Sequence, residues 1–255
     1  MAGLFEKGKA VMQKNRSELI EQGRRVVAET KMRHVALIVD GNRRWARARR
    51  KTWIEGHRKA LEVVLGRVED GIEMGLEVMT FWLFSTENWR RDANHVNALF
   101  RLGKEYDQRL HEELRRLNVR FRHIGRKDRI PDFLSRLLTN LESETQTNDA
   151  ATVVAALDYG GRDDVLRAVN KAIAEKVPAV TEEYLSSQLD AADLPNPDLV
   201  IRTSGEIRTS GFMIWQTVYS EWSFPKVFFP DLDTECFVSE VCEFGTRNRR
   251  FGGGR

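Results

Sequence analysis

The chain has 255 residues, and its 41 Lys and Arg nearly balance its 38 Asp and Glu, which gives a formal charge of +3 at pH 7. A composition of 41% hydrophobic and 31% charged residues is that of a globular protein and excludes a disordered or collagen-like chain. The longest apolar run, residues 78–84, is far shorter than the about 20 residues that a membrane-spanning helix needs.

The first 33 residues are polar and basic, and their apolar residues form only a broken helical stripe. We predict an N-terminal helical arm over 1–33, solvated or, as an alternative, in peripheral contact with a membrane. Charged residues stand where a signal peptide carries its apolar region, so we expect a cytoplasmic protein. The small, dispersed positive charge gives no reason to expect a nucleic-acid partner.

Residues 34–255 alternate between strand and helix patterns. Buried strands are predicted at 34–40, 78–84, 119–124, 152–157 and 198–202, and helices at 60–72, 94–117, after Pro131, at 163–176 and at 181–189. Strands that alternate with helices of this length imply parallel crossovers, and no linker rich in Gly, Pro or Ser interrupts them before 252–254. The sequence therefore predicts a single α/β domain over 34–255, with a mainly parallel sheet flanked by helices.

Several common sites are excluded by their missing motifs. No GxGxxG follows a strand, which excludes a dinucleotide-binding site, and no HExxH occurs, which excludes a zinc-hydrolase site. There is also no pair of DDxxD boxes, which excludes a trans-type isoprenoid synthase. Cys236 and Cys242 are six residues apart in a segment that reads as helix, so we interpret them as ordinary thiols.

The predicted strand ends share arginine, glycine, small polar residues and a few carboxylates. They read DGNRRW at 40–45, STENWRR at 85–91, DYGGR at 158–162 and RTSGEIRTS at 202–210. Ligands of open parallel sheets bind beyond the carboxyl ends of the strands, and guanidinium groups match phosphate oxygens in bidentate geometry. The sequence therefore predicts an anionic substrate at this edge.

Each of these stretches also has a simpler interpretation. An isolated Asp-Gly-Asn is most often a helix cap, although capping requires neither Arg43 nor Arg44. The two arginines of 202–210 could belong to a solvated loop with surface ion pairs. Glu221 lies among apolar residues, where a carboxylate must be paired with an arginine or bound to a metal.

Taken together and in this order, the stretches resemble the cis-prenyltransferase family, the undecaprenyl and polyprenyl diphosphate synthases. The resemblance runs from about residue 34 to 253 and also includes EGH at 55–57 and RRFGG at 249–253. It implies a hydrophobic tunnel, a homodimer, and Mg²⁺-dependent addition of isopentenyl diphosphate to an allylic diphosphate with a new cis double bond.

The same resemblance implies roles for individual residues. Asp40 would manage Mg²⁺ and the diphosphates, Glu221 would be a second metal-site carboxylate, and Asn88 or a phosphate oxygen would assist loss of the proton. The allylic diphosphate would be held by Gly41, Asn42, Arg43, Arg44, His57 and Arg91. Isopentenyl diphosphate would be held by Arg202, Arg208 and Ser210, with Arg250 and Gly252 reaching the partner subunit's site. The loop and tunnel group comprises Trp45, Trp53, Leu83, Ser85, Glu87 and Trp89.

Two positions depart from the family pattern. Trp53 stands four residues before His57, where bacterial undecaprenyl synthases carry an arginine, and Leu83 stands where long-chain members place a small residue. Because residues two apart on a strand share a face, we expect Leu83 to lie beside Ser85 and narrow the tunnel, which predicts a short product. Trp53 leaves open a same-fold enzyme with non-elongating or irregular chemistry, and a non-catalytic subunit of a heteromeric enzyme is a further alternative.

Overall fold

The sheet of this protein is entirely parallel among the residues that the structure describes. A computed structural model describes residues 2–248, with side chains from residue 15 onward. The strands are β1 (His34–Ile38), β2 (Val78–Ser85), β3 (Val119–Ile124), β4 (Ala151–Tyr159), β5 (Leu199–Arg202) and β6 (Glu221–Ser223). They pair in the order β3-β4-β2-β1-β5-β6, each pair parallel. The predicted single α/β domain with flanking helices is confirmed.

Helices cover both faces of the sheet. They are α1 (Ala2–Thr30), α2 (Asn42–Ala48), α3 (Trp53–Met74), α4 (Ala93–Glu105), α5 (Asp107–Arg116), α6 (Asp132–Glu144), α7 (Gly161–Ala174), α8 (Glu182–Gln188) and α9 (Thr234–Gly245), with 3₁₀ turns at Thr86–Arg90 and Phe229–Asp231. The predicted helix over 94–117 is in fact two, because the chain breaks at Tyr106. Strand β6 was not predicted.

Strand β1 is the centre of the core. Val35 and Leu37 join the cluster beneath α1, α3 and α9, while Ala36 and Ile38 join a second cluster on the opposite face. This alternation buries β1 on both sides, as expected of a parallel strand covered by helices.

Helix α1 packs on the domain from residue 15 onward. Ile20 and Val27 are 3% and 5% exposed, and a Cβ at Gly23 would lie 2.3 Å from Met74 Sδ. Arg16 pairs with Asp70 at 2.7 Å. The expectation of a solvated arm is therefore wrong for this part of α1, because the apparent break in its apolar stripe is the glycine against which α3 packs. No helix in the described part of the chain is long and apolar enough to cross a membrane.

The carboxyl ends of β2 and β4 are irregular. Trp82 pairs with Ala156, Phe84 with Leu157 and Ser85 with Tyr159, so Leu83 and Asp158 are extra residues in the ladder. Asp158 also has a left-handed φ of +51°. Bulges of this kind redirect side chains next to functional sites, and both residues bear on the cavities described next.

Candidate active site

A polar cleft lies at the carboxyl end of β1. It is lined by Val39, Asp40, Gly41, Asn42, Arg43, Arg44, Arg47, Lys51, Trp53, His57 and Arg91. Gly41 has φ +100° and a Cβ there would lie 2.1 Å from Ser204 Oγ, so only glycine allows the chain to turn from β1 into α2. The cleft brings together the whole predicted allylic diphosphate group of residues.

The Asp40 carboxylate is held between two arginines. Its Oδ2 accepts a hydrogen bond from Arg202 Nη2 at 3.0 Å, and its Oδ1 accepts from Arg44 Nη2 at 3.2 Å. The Thr203 hydroxyl donates to the Asp40 carbonyl oxygen at 2.8 Å. Two predicted substrate regions, at the ends of β1 and β5, thus meet at one carboxylate.

The loop after β5 is organised by Arg202. Its Nη1 donates to the Arg208 carbonyl at 2.6 Å and to Ser210 Oγ at 2.7 Å. The Arg208 guanidinium instead pairs with Glu206 at 2.5 Å, and Glu206 also accepts from Arg44 at 2.6 Å. Hydrogen bonds from both arginines lower the pKa of Glu206. The structure thus brings Arg202 and Ser210 together, with a Glu206 bridge that the sequence analysis did not anticipate.

Three arginines of the cleft have no carboxylate partner within the described side chains. Arg43, Arg47 and Arg91 make no ion pair there, although arginines elsewhere in this protein are often paired. Burial lowers the pKa of Arg91, and the positive charge of Arg43 lowers it further. An anion bound between Arg43 and Arg91 would relieve this repulsion.

His57 reaches the cleft because α3 approaches α2 closely. A Cβ at Gly56 would lie 2.1 Å from the Asn42 carbonyl oxygen, which explains the glycine of the EGH stretch. His57 Nδ1 hydrogen-bonds to the Trp53 carbonyl at 2.9 Å. Burial, with smaller contributions from Arg91 and Arg43, lowers the pKa of His57 to about 4. His57 is therefore neutral at pH 7.

Trp53 lies between two histidine rings. Its ring centroid is 5.6 Å from that of His57 and 4.3 Å from that of His95. His95 was not predicted, because no motif marks it and α4 brings it against Trp53 only in the folded chain.

An apolar cavity continues from the cleft at Val39, Asn42 and His57. Its volume is about 160 Å³. The Asn42 Oδ1 atom at the junction is buried and has no hydrogen-bond partner among the described residues. The walls come from α3, β2, α4, α5, α6 and β4, and include Leu61, Val64, Val68, Phe81, Leu83, Phe84, Phe100, Leu134, Leu141 and Leu157. The cavity has the form of the tunnel that the resemblance implies.

Leu83 lines this tunnel, but not for the predicted reason. Alternation along β2 predicted a shared face for Leu83 and Ser85, whereas Leu83 and Phe84 both line the cavity and Ser85 does not. The extra residue at Leu83 breaks the alternation and turns two consecutive side chains to the same side.

The remaining members of the loop and tunnel group line neither cavity. Trp45 is buried and donates its indole N–H to Asp231 at 2.7 Å. Ser85 donates its N–H to Asn88 Oδ1 at 3.3 Å and caps the turn that carries exposed Glu87. Trp89 donates its indole N–H to Asp158 at 2.8 Å. Only Trp53 and Leu83 of the group line a cavity.

Glu221 is not brought to Asp40 within one chain. Glu221 is the first residue of β6 and lies opposite Leu199 of β5, which is three residues before Arg202. The Glu221 carboxylate forms an ion pair with Arg247 at 3.1 Å. The simpler interpretation, a pair with an arginine, is what the structure shows, and a metal role for Glu221 stays a prediction. No cluster of three or more His, Cys, Asp or Glu residues suited to a metal occurs in the described part of the chain. Arg250 and Gly252 lie outside the described residues.

A cationic cleft that opens into an apolar tunnel, at the carboxyl edge of a parallel sheet, is typical of an enzyme whose substrates have an anionic head and a hydrocarbon tail. The family model described as putative undecaprenyl diphosphate synthase matches residues 38–252. The chain therefore belongs to the undecaprenyl diphosphate synthase family of cis-prenyltransferases, and it is a transferase of isoprenoid biosynthesis.

Individual relatives agree with this assignment. The isoprenyl transferase of Aquifex pyrophilus is 45% identical over 219 residues, which cover 86% of this chain and 95% of the relative. That of Agrobacterium fabrum is 41% identical over 225 residues, 86% of this chain and 91% of the relative.

Two solved structures share the fold. Lavandulyl diphosphate synthase from Lavandula x intermedia, in complex with dimethylallyl diphosphate, superposes with a TM-score of 0.81 at 30% identity, covering 86% of this chain and 97% of that one. A probable undecaprenyl diphosphate synthase from Campylobacter jejuni gives a TM-score of 0.75 at 30% identity, covering 87% and 98%.

Proposed function

We propose that this protein is a Mg²⁺-dependent cis-prenyltransferase that condenses isopentenyl diphosphate with an allylic diphosphate to give a short-chain Z-prenyl diphosphate. The observation that carries the proposal is the junction at Asn42 and His57, where the cationic cleft meets the apolar tunnel. A diphosphate head in the cleft would direct its hydrocarbon tail into the tunnel.

Asp40 is the residue that fits a magnesium ion. Mg²⁺ is usually held by one or two carboxylates together with substrate phosphates and water, and Asp40 is a carboxylate at the edge of a cleft built for phosphates. Bound there, Mg²⁺ would neutralise charge that develops on the leaving diphosphate. Both Asp40 oxygens now contact arginines, so these guanidinium groups would exchange Asp40 for substrate oxygens when the substrates bind.

The cleft residues divide the binding between two diphosphates. Arg43, Arg44 and Arg91 would bind the allylic head, while Arg202, Arg208 and Ser210 would bind isopentenyl diphosphate on the other side of Asp40. Neutral His57 can donate or accept a hydrogen bond there without adding a charge. Because Asn88 Oδ1 is engaged by the Ser85 N–H, we favour a phosphate oxygen as the acceptor of the released proton.

Leu83 supports the short product. It lies in the wall of the tunnel on β2 and is followed by Phe84 in the same wall. Extending a tail past side chains in a packed interior costs about 1–3 kcal/mol, which is enough to stop elongation. We expect products in the farnesyl to geranylfarnesyl range.

Irregular condensation is the second candidate. Trp53 lines the cleft at the position where bacterial undecaprenyl synthases carry an arginine, and the similar lavender enzyme is a lavandulyl diphosphate synthase. The third alternative, a non-catalytic subunit, is disfavoured because Asp40 lies in the cleft and is in contact with Arg202.

We also propose a cytoplasmic homodimer, with peripheral membrane contact as an alternative location. Two exposed apolar side chains seven residues apart on α7 share one side of the helix and would provide a face for a second copy: Leu166 and Ile173 are 61% and 69% exposed. Leu166→Asp with Ile173→Asp should convert the dimer to monomer in analytical ultracentrifugation. An unchanged sedimentation coefficient would exclude α7 from the interface.

Product analysis tests the catalytic proposal. Purified protein with Mg²⁺ and labelled isopentenyl diphosphate would be offered dimethylallyl, geranyl, farnesyl and geranylgeranyl diphosphate separately, with and without excess chelator. Short Z-products that require Mg²⁺ support the proposal. A product from dimethylallyl diphosphate alone would support irregular condensation, and no product from any starter without a second protein would support the subunit alternative.

A further inference from the structure

Asp158 is a carboxylate that the folded protein buries completely. It is 0% exposed and is the extra residue at the carboxyl end of β4, with a φ of +51°. Asp adopts this left-handed conformation more readily than most residues. A buried carboxylate is costly unless it is paired and hydrogen-bonded, so its partners show what the position is for.

The partners of Asp158 come from two other segments. Arg129, in the loop between β3 and α6, donates Nε to Oδ2 at 2.8 Å and Nη2 to Oδ1 at 2.5 Å. Trp89, in the 3₁₀ turn after β2, donates its indole N–H to Oδ1 at 2.8 Å. One carboxylate therefore ties three strand ends together.

Trp89 packs on the tunnel wall without lining the cavity. Its ring centroid lies 5.5 Å from that of Phe84 and 5.4 Å from that of Phe100, and both phenylalanines line the tunnel. Arg91, which lines the cleft, caps the carboxyl end of the 3₁₀ turn that carries Trp89. The indole therefore contacts two side chains of the tunnel wall and belongs to the turn that leads into one cleft arginine.

We propose that Asp158 is a positioning residue, which holds Trp89 so that Arg91 and the tunnel wall keep their places around the allylic substrate, with Arg129 as its counter-ion. The kinetic part of this inference rests on the proposed function. Asp158 lines neither cavity and acts through Trp89.

Three variants separate the parts of this arrangement. Asp158→Gly suits the left-handed backbone and removes the acceptor, Asp158→Asn keeps an oxygen acceptor without the charge, and Trp89→Phe keeps a ring without the donor. Asp158→Gly and Trp89→Phe should each raise KM for the allylic diphosphate about tenfold, the effect of one lost buried hydrogen bond. KM for isopentenyl diphosphate should change less, and Asp158→Asn should have a smaller effect than Asp158→Gly. The double variant Asp158→Gly with Trp89→Phe should have a KM for the allylic diphosphate no higher than that of Asp158→Gly alone, because both substitutions act through one contact.

The indole N–H supplies a readout that does not need turnover. Its NMR resonance, assigned by its loss in Trp89→Phe, should exchange slowly with D₂O in the full chain and at least tenfold faster in Asp158→Gly. Asp128→Asn is the matched control, since Asp128 is in the same loop as Arg129 but is exposed and pairs with Arg126. It should leave every readout unchanged.

The inference is overturned if Asp158→Gly keeps the wild-type KM values and slow indole exchange. It is also overturned if all kinetic parameters fall in parallel with the folded fraction, as a purely structural role would give. If Asp158→Gly does not fold, Asp158→Asn and Trp89→Phe carry the same comparison. If the wild type turns over neither diphosphate, the proposed function fails, while the indole exchange still tests the contact.

Discussion

The cationic cleft and the apolar tunnel share Asn42 and His57, yet they differ in what they leave unsatisfied. The cleft leaves Arg43, Arg47 and Arg91 without a carboxylate in the described chain, whereas α1, α3 and α7 pair many of their arginines. The tunnel leaves empty volume among hydrocarbon side chains in an otherwise packed interior. Unpaired charge in the cleft and unfilled apolar space in the tunnel therefore match the anionic head and the hydrocarbon tail of the proposed substrate.

Removing the Asp40 carboxylate from the cleft should have the largest effect on turnover. Asp40→Asn keeps hydrogen bonds to Arg44 and Arg202 but should lower turnover about 100- to 1000-fold, as expected for loss of a group that organises developing charge. Incorporation of labelled isopentenyl diphosphate measures it. Asp193→Asn, at a surface pair with Arg122, is the control, and wild-type turnover by Asp40→Asn would contradict a role in the reaction.

A change in the tunnel should alter the product while turnover continues. Leu83→Ala should shift the product distribution to longer chains, because it removes most of one side chain from the tunnel wall. Chromatography of the dephosphorylated products measures the shift, and Val180→Ala, at an exposed position between α7 and α8, is the control. An unchanged product length would mean that another residue sets the stop.

The junction of the two cavities should make stability depend on pH. The pKa of His57 is about 4 in the folded protein and near 6.5 when unfolded, so the unfolded chain binds the proton more tightly. The contribution of neutral His57 to the free energy of unfolding is complete above pH 6.5. It is lost as the pH falls toward 4, by up to about 1 kcal/mol per pH unit. Urea unfolding at pH 7 and pH 5 should show a smaller difference in His57→Gln than in the wild type. An equal difference in the two proteins would exclude His57 as the source of the pH dependence. It would leave His34, whose pKa is also lowered by burial.

A change outside both cavities should affect stability alone. Arg16→Ala removes one of two arginines from buried Asp70 and should cost about 1 kcal/mol, since Arg67 remains at 2.7 Å. We expect kcat to stay at the wild-type value. A lower kcat in fully folded Arg16→Ala would show that α1 shapes the cleft.

The sequence predicted the parts of the molecule that follow simple periodicity. Five of the six strands and the clustering of residues 40–44 with Arg91 follow from buried apolar runs and from the geometry of parallel sheets. Strand β6 was missed because three residues carry no detectable pattern. The packing of α1 was missed because Gly23 looks like a break in the stripe when it is a point of contact.

The contacts around the bulges could not be predicted. Leu83 and Asp158 leave the regular ladder, and no rule of alternation shows where such residues point. The partners of Asp158 are 29 and 69 residues away in the sequence, so only the folded chain shows that Arg129 and Trp89 meet at one carboxylate.

The central place of β1 has a consequence for how the protein is made. β1 pairs with β2 and also with β5, and Asp40 reaches its partner Arg202 across 162 residues of chain. Contacts of such separation form late and slow the folding of a domain. A ribosome-bound chain that has not yet produced β5 leaves one edge of β1 unpaired and Asp40 without Arg202. The proposed binding of isopentenyl diphosphate by Arg202 should therefore appear abruptly, in the last part of synthesis, when β5 docks beside β1.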